Sequence, residues 1–242
     1  MSGAEHWEAQ AERWAAWARR PDFDGYWRDS GPAFFDLLPV PGRRTLEVGC
    51  GEGRVTRDLK ARGHRVTAVD VAPTMIRLAH EADLDGEYIV ADAAALPFDD
   101  RTFELVVALN SLMDIDDMPG AVGEAARVLV PEGRFCVCIT HPMRDAGHFE
   151  DATFVIPDGY LERRRFDLRV ARDGLGVHFR SWAYPLETYM RAVEETGFLV
   201  ESLREPPDPD RPIPNFLLIR AVRRQPAPAA SSSRRPNPPP RP

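Results

Sequence analysis

With 242 residues, 43% of them hydrophobic, the chain is long enough to bury one substantial core. Its formal net charge of -7, with basic residues scattered apart from Arg163-Arg164-Arg165 and the ends, argues against a face that tracks nucleic acid. The three cysteines, Cys50, Cys136 and Cys138, lack zinc-type spacing and fit a reduced compartment. No signal-type start is present, and no apolar run approaches the ~20 residues of a membrane helix. A soluble, cytoplasmic protein with no metal site, no membrane partner and no nucleic-acid partner is expected.

Residues 1–40 read as a helical cap. Trp7, Ala11, Trp14, Ala15 and Ala18 recur at helical spacing, and a second aromatic group, Tyr26, Trp27, Phe34 and Phe35, follows the break at Pro21 and Gly25. From Thr45 short apolar runs alternate with helical stretches. Thr45–Val48, Arg65–Val69, Tyr88–Val90, Leu105–Leu109 and Phe135–Ile139 are the strands. Val55–Ala61, Pro73–Ala82 and Ala121–Leu129 are the helices, and Pro131-Glu132-Gly133 is a turn. Cys136 and Cys138 fall on one side of their strand, as buried small side chains.

Alternating strands and helices specify an α/β fold, an open doubly wound parallel sheet covered on both faces. Its ligand site belongs beyond the C-terminal strand ends. Residues 143–182 interrupt the rhythm, and Phe166, Leu168 and Val170 against Val177 and Phe179, around Gly174-Leu175-Gly176, predict an inserted β-hairpin. A helix over Leu186–Thr196 and an antiparallel pair, Leu199–Leu203 with Phe216–Val222, complete a domain spanning 41–224. Residues 225–242 are Pro-, Ala-, Ser- and Arg-rich and are expected to be a disordered tail.

Three strand ends carry chemistry. Glu47-Val48-Gly49-Cys50-Gly51-Glu52-Gly53 is a glycine turn on which a ligand can lie against the backbone; it is GxGxG, with Arg54 where a dinucleotide fingerprint has its last glycine. Asp70 ends the second strand, where a carboxylate either accepts two ribose hydroxyls or caps the next helix. Asp92 ends the third, placed to take the exocyclic amine of adenine. Asn110-Ser111 borders the same crevice at the end of the fourth.

The run Leu46–Gly53, Asp70, the stretch Asp92–Phe103 and the Ala125–Leu129 helix before Gly133 together resemble class I S-adenosylmethionine-dependent methyltransferases, in order and spacing, over roughly residues 40 to 140. The resemblance is nearest to the small-molecule branch that includes ubiquinone-biosynthesis C-methyltransferases. It implies a Rossmann-like seven-stranded sheet of order 3-2-1-4-5-7-6 with strand seven antiparallel. It implies S-adenosyl-L-methionine as cofactor, with Glu47, Gly49, Cys50 and Gly51 along the methionine portion and Asp70 on the ribose. Val71, Met75 and Ala93 would lie beside the adenine, Asp92 at its amine, and Asn110 and Ser111 near the sulfonium.

Met113-Asp114 stands where relatives often carry His-His. Asp114 either steadies the sulfonium, orients an acceptor, or is a helix-entry acid. His141, directly after the fifth strand, is the candidate base, or else a strand-end cap. Trp14, Tyr26, Trp27 and Tyr160 are candidate acceptor walls, and an aromatic lid of this kind suits a flat or apolar small molecule. Two alternatives compete: a nicotinamide-dependent oxidoreductase, and a cofactor-binding protein that transfers no methyl group. A monomer or homodimer is expected from the class.

Overall fold

The computed structural model describes residues 1–41, 44–151, 153–157, 159–208 and 211–224. The expected tail, 225–242, lies outside them. The chain opens with α1 (Gly3–Ala18), which starts at a capping box: Ser2 accepts from the Glu5 amide while the Glu5 carboxylate accepts from the Ser2 amide. A π-helical turn (Tyr26–Ser30) and α2 (Gly31–Leu37) complete the cap.

The sheet begins with β1 (Thr45–Val48), followed by α3 (Arg54–Ala61), β2 (Val66–Asp70), α4 (Pro73–Ala82), β3 (Glu87–Val90) and β4 (Phe103–Leu109). A 3-10 turn (Leu112–Asp114) leads to α5 (Met118–Val128) and β5 (Leu129–Thr140). After the insert come α7 (Leu186–Glu195), β10 (Phe198–Arg204) and β11 (Phe216–Arg223). The seven strands lie in the order β10-β11-β5-β4-β1-β2-β3, with β11 antiparallel to both neighbours. With β10 and β11 as the sixth and seventh strands of the sheet, this is the implied order 3-2-1-4-5-7-6.

Two details depart from the sequence reading. Pro131–Gly133, expected as a turn, is the bulged start of β5: Glu132 takes φ 62°, and the register against β4 shifts between Phe103 and Leu105. The insert holds more than one hairpin. It contains α6 (Pro142–Ala146), a small pair β6 (His148–Glu150) and β7 (Thr153–Val155), and the long pair β8 (Arg164–Arg172) and β9 (Leu175–Ala183).

Burial explains the layering. Along β4, Leu105, Val107 and Leu109 pack with Phe34, Leu37 and Leu59 of α2 and α3. Val106 and Ala108 face the other layer, with Ala125 of α5 and Val193 of α7. Cys136 and Cys138 share the first of these faces, both free thiols at 0% exposure. Each fully buried Leu or Val contributes roughly 1.5–3 kcal/mol, so the central strands anchor the fold. The C-terminal ends of β1 to β5 converge beneath α1 and the β8–β9 pair.

Candidate active site

A cavity of about 560 Å³ opens over those strand ends. Its floor is the turn after β1. Gly49 and Gly51 take φ 72° and 55°, and the Gly49 amide donates to the Val69 carbonyl at 2.8 Å, locking the turn to β2. A Cβ at Gly49 would stand 2.4 Å from that of Ser111, and one at Gly51 would stand 3.3 Å from the Trp14 indole nitrogen. The backbone is therefore bare where the cavity meets it.

Carboxyl groups are set around this floor by hydrogen bonds from main-chain amides and from the Thr56 hydroxyl. Asp70 accepts from the Gly51 amide and the Ala72 amide, each at 2.9 Å, and burial pushes its pKa up. A carboxylate has about four acceptor positions, so two amides leave capacity for a ligand's hydroxyls. Asp70 thus fastens the glycine turn and remains on the cavity wall; it is not the cap of α4, whose N-cap is Ala72 with no side-chain cap bond. Asp92 accepts from the Ala94 amide at 2.9 Å and lines the cavity farther along. Glu47, at 2% exposure, accepts from the Thr56 hydroxyl, and desolvation raises its carboxyl to about 8.

The opposite end of the cavity is built on β4 and β5. Asn110 takes φ 52°, and its amide donates to the Cys138 carbonyl at 2.7 Å. The Ser111 hydroxyl donates to the Val48 carbonyl at 2.7 Å, so it ties two strand ends together. Asp114 accepts from the Ser181 hydroxyl of β9 at 2.5 Å; burial raises its carboxyl to about 7, with the charges of Asp145 and Asp70 adding to the rise. Asp145 accepts from Thr140, and burial raises it to about 6.

The roof is aromatic. Trp7, Trp14 and Phe179 meet edge to face, with ring centres 5.8 to 6.5 Å apart, and Phe166 and Leu168 continue the surface along β8. Asp116 pins this roof at its end. It accepts from the Gly3 amide at 2.8 Å, the Trp182 indole at 2.9 Å and Arg165 at 2.7 Å. His6 donates from Nε2 to the His178 carbonyl at 2.8 Å, a second tie between α1 and β9.

The residues named for a cofactor, Glu47, Gly49, Cys50, Gly51, Asp70, Val71, Met75, Asp92, Ala93, Asn110 and Ser111, all line this cavity, as do Asp114, Trp14 and Tyr26. Tyr26 contributes its ring, since its hydroxyl donates to Asp58. Three expectations need correction. His141 is outside the cavity: Nδ1 accepts from the Met143 amide at the start of α6, and Nε2 meets Glu205 at 2.8 Å, so it is a cap. Trp27, 47% exposed, lies with Phe35 and Arg62 in a separate groove. Tyr160 accepts from the Leu186 amide at 2.8 Å and seats the start of α7.

Sequence reasoning missed Asp145, Ser181, Phe166, Phe179 and Arg54. The Arg54 guanidinium lies 4.2 Å from the Tyr26 ring centre and pairs with Asp24 at 2.7 Å, bracing the cap against the glycine turn. The one available signal for Arg54 was its place directly after the glycine turn. Among the described residues no group of three or more His, Cys, Asp or Glu is arranged to hold a metal ion.

Comparison with known proteins agrees with this geometry. The family model described as a methyltransferase domain matches residues 46–137. Aklanonic acid methyltransferase DauC from Streptomyces sp. (strain C5) is 32% identical over 173 residues, covering 66% of this chain and 76% of the relative. A demethylmenaquinone methyltransferase from Tropheryma whipplei is 31% identical over 129 residues, 52% of this chain and 53% of the relative, so the chain spans about half the length of that protein. An S-adenosylmethionine-dependent methyltransferase from Mesorhizobium loti superposes with a TM-score of 0.65 at 26% identity, covering 84% of this chain and 99% of that one. Among the described residues no helix is long and apolar enough to cross a membrane. From the glycine turn between β1 and α3, the strand order and these likenesses together, the chain belongs to the methyltransferase-domain family.

Proposed function

We propose that the chain transfers a methyl group from S-adenosyl-L-methionine to a small-molecule acceptor, aromatic or apolar in its body, by in-line displacement. One observation carries this reading: a single cavity runs from a carboxylate held by the Gly51 amide, beneath Trp14, to Asn110 and Thr140 at the ends of β4 and β5, with Phe166 also in its wall. The first end fits a nucleoside, and the second fits an apolar acceptor. In this reading Asp70 binds the ribose hydroxyls and Asp92 the adenine amine, with Val71, Met75 and Ala93 packing beside the base. Glu47, Gly49, Cys50 and Gly51 follow the amino-acid portion, while Asn110 and Ser111 border the methyl group.

The bound cofactor supplies an activated methyl group on a sulfonium leaving group. The chain's own residues have to align the acceptor and keep water out, and positioning of that kind supplies roughly 7–11 kcal/mol of a barrier. Asp114 is an acidic side chain on the acceptor side and orients a donor group there. Residues 1–40 act as the cap and 41–224 as the transfer domain, with 143–182 on the acceptor side. The net charge of -7 supports a small-molecule partner over nucleic acid, and the buried free thiols support a cytoplasmic location. A monomer or homodimer follows from the class.

Calorimetric titration with S-adenosylhomocysteine and, separately, NADH tests the reading. S-adenosylhomocysteine binds, and both Asp70→Ala and Asp70→Asn weaken it at least about tenfold, the loss of one good charged contact pair. Binding of NADH alone would move the protein to hydride transfer.

A further inference from the structure

The acceptor end of the cavity contains two carboxyl groups, Asp114 and a second that the methyltransferase reading leaves unassigned. Asp114 follows β4 and Asp145 lies in α6 just beyond β5, and both line the cavity. Each is held by one hydroxyl: Ser181 donates to Oδ1 of Asp114, and Thr140 donates to Oδ2 of Asp145. The second oxygen of each carboxyl is left for an incoming molecule. Around them the walls are apolar: Met113, Ile115, Phe166 and Phe179.

Burial outweighs the charges of Arg144 and Arg164, which partly offset Asp145 but not Asp114. Arg144 lines the same end, but its guanidinium donates to Asn215, which in turn donates to Asp208. Arg163 and Arg165 lie over Trp182 at 3.5 Å, outside the cavity lining, and Arg165 pairs with Asp116. The Arg164 guanidinium is turned to the carbonyls of Asp145 and Ala146.

We propose that Asp114 and Asp145 are the specificity-determining pair of the acceptor site, selecting a ring-bearing small molecule that presents an O–H or N–H donor and excluding one that presents a carboxylate. This rests on the methyltransferase reading above. The physical reason is desolvation. Two carboxyls close enough to feel each other, in a largely apolar chamber, gain most from a ligand that brings donors to their remaining oxygens. At a pH above both raised values, about 8, where both groups are charged, a third carboxylate brings only repulsion and an unpaid loss of hydration, and the comparison of ligands is made there. The raised proton affinities of both groups fit a site short of donors until the acceptor arrives.

The test uses three matched probes, naphthol, naphthylmethylamine and naphthoate of one substitution pattern, titrated into the full chain saturated with S-adenosylhomocysteine. Naphthol and the amine should bind at least about tenfold more tightly than naphthoate. In Asp114→Asn/Asp145→Asn the gap should shrink to within about threefold, chiefly because naphthoate binds better, while S-adenosylhomocysteine affinity holds and reports an intact fold. Naphthoate binding as well as the others to the unsubstituted chain would overturn the proposal. So would a gap that survives the double substitution, or the failure of all three probes to bind. The series is repeated on the protein without cofactor product. Failure of S-adenosylhomocysteine to bind would count against the methyltransferase reading, while the probe preference would still be read.

Discussion

Gly49 and Ser111 come from turns that follow β1 and β4, and they touch: a side chain at Gly49 would put its Cβ 2.4 Å from that of Ser111. The Ser111 hydroxyl meanwhile holds the Val48 carbonyl at 2.7 Å. Two strand ends are thus brought together through one missing Cβ. Gly49→Ala should cost about 2–4 kcal/mol of stability, from the clash and from alanine at φ 72°. It should also weaken S-adenosylhomocysteine at least about tenfold. Adding Ser111→Gly should return part of the stability, because it removes the clash and leaves the backbone strain. Urea unfolding of the two single variants and the double measures that coupling.

Asp116 joins α1 to the β8–β9 pair through Gly3, Trp182 and Arg165. Asp116→Ala should loosen both elements and leave the sheet intact. Hydrogen exchange should therefore rise in α1 and β9 with no change in β4 and β5. Release of S-adenosylhomocysteine should quicken several-fold. Unchanged exchange in α1 would mean that its other ties, His6 to the His178 carbonyl, Gln10 to the His178 amide and Glu8 to Thr74, hold it without Asp116.

Glu47, Asp114 and Asp145 have carboxyls raised to about 8, 7 and 6 by burial. Through that range the folded chain retains protons that the unfolded chain has released. Their contribution to stability is complete below the ordinary carboxylate range and is lost as pH rises through about 6 to 8. His6 and His64, lowered by burial, contribute the opposite sign near neutrality. The clean measurement is therefore the difference between the parent chain and Glu47→Gln, by urea unfolding at about pH 5.5 and 8. The variant should lose less stability on going to the higher pH, by about 1 kcal/mol or more. Parallel curves would mean that Glu47 is ionised in the folded protein.

His141 caps α6 and does not reach the cavity. His141→Ala should cost about 1 kcal/mol, the usual loss for a helix cap, and leave naphthol binding to the cofactor-product complex unchanged. Trp27→Ala should likewise leave that binding unchanged, since its groove is separate. A tenfold loss in either variant would return that residue to the acceptor site.

The strand-end residues could be read from sequence because a buried parallel strand fixes where its last residue goes. Asp70 needs only β2 and the glycine turn beside it to be placed. His141 fails for a related reason. Cys136, Cys138 and Thr140 share one side of β5, and Thr140 reaches the cavity, so its successor turns away. Ser181 and Phe179 belong to β9, and their role depends on how a whole hairpin docks over the sheet. That docking is set by distant partners such as Asp116 and His6, and no local pattern reports it. Tyr160 illustrates the same limit: an aromatic residue in the insert was expected to face an acceptor, but its hydroxyl seats the first turn of α7.

The capping box at Ser2 and Glu5 has a practical consequence. Ser2, Gly3 and Ala4 form part of the cavity rim, and the Gly3 amide is one of the ties on Asp116. Anything fused ahead of Met1 therefore emerges at the rim of the cavity, where it competes for space with a molecule entering it. The last residue of β11, Arg223, lies at the opposite end of the sheet from the strand ends that carry the cavity. For this fold an affinity handle at the front is a perturbation of the site.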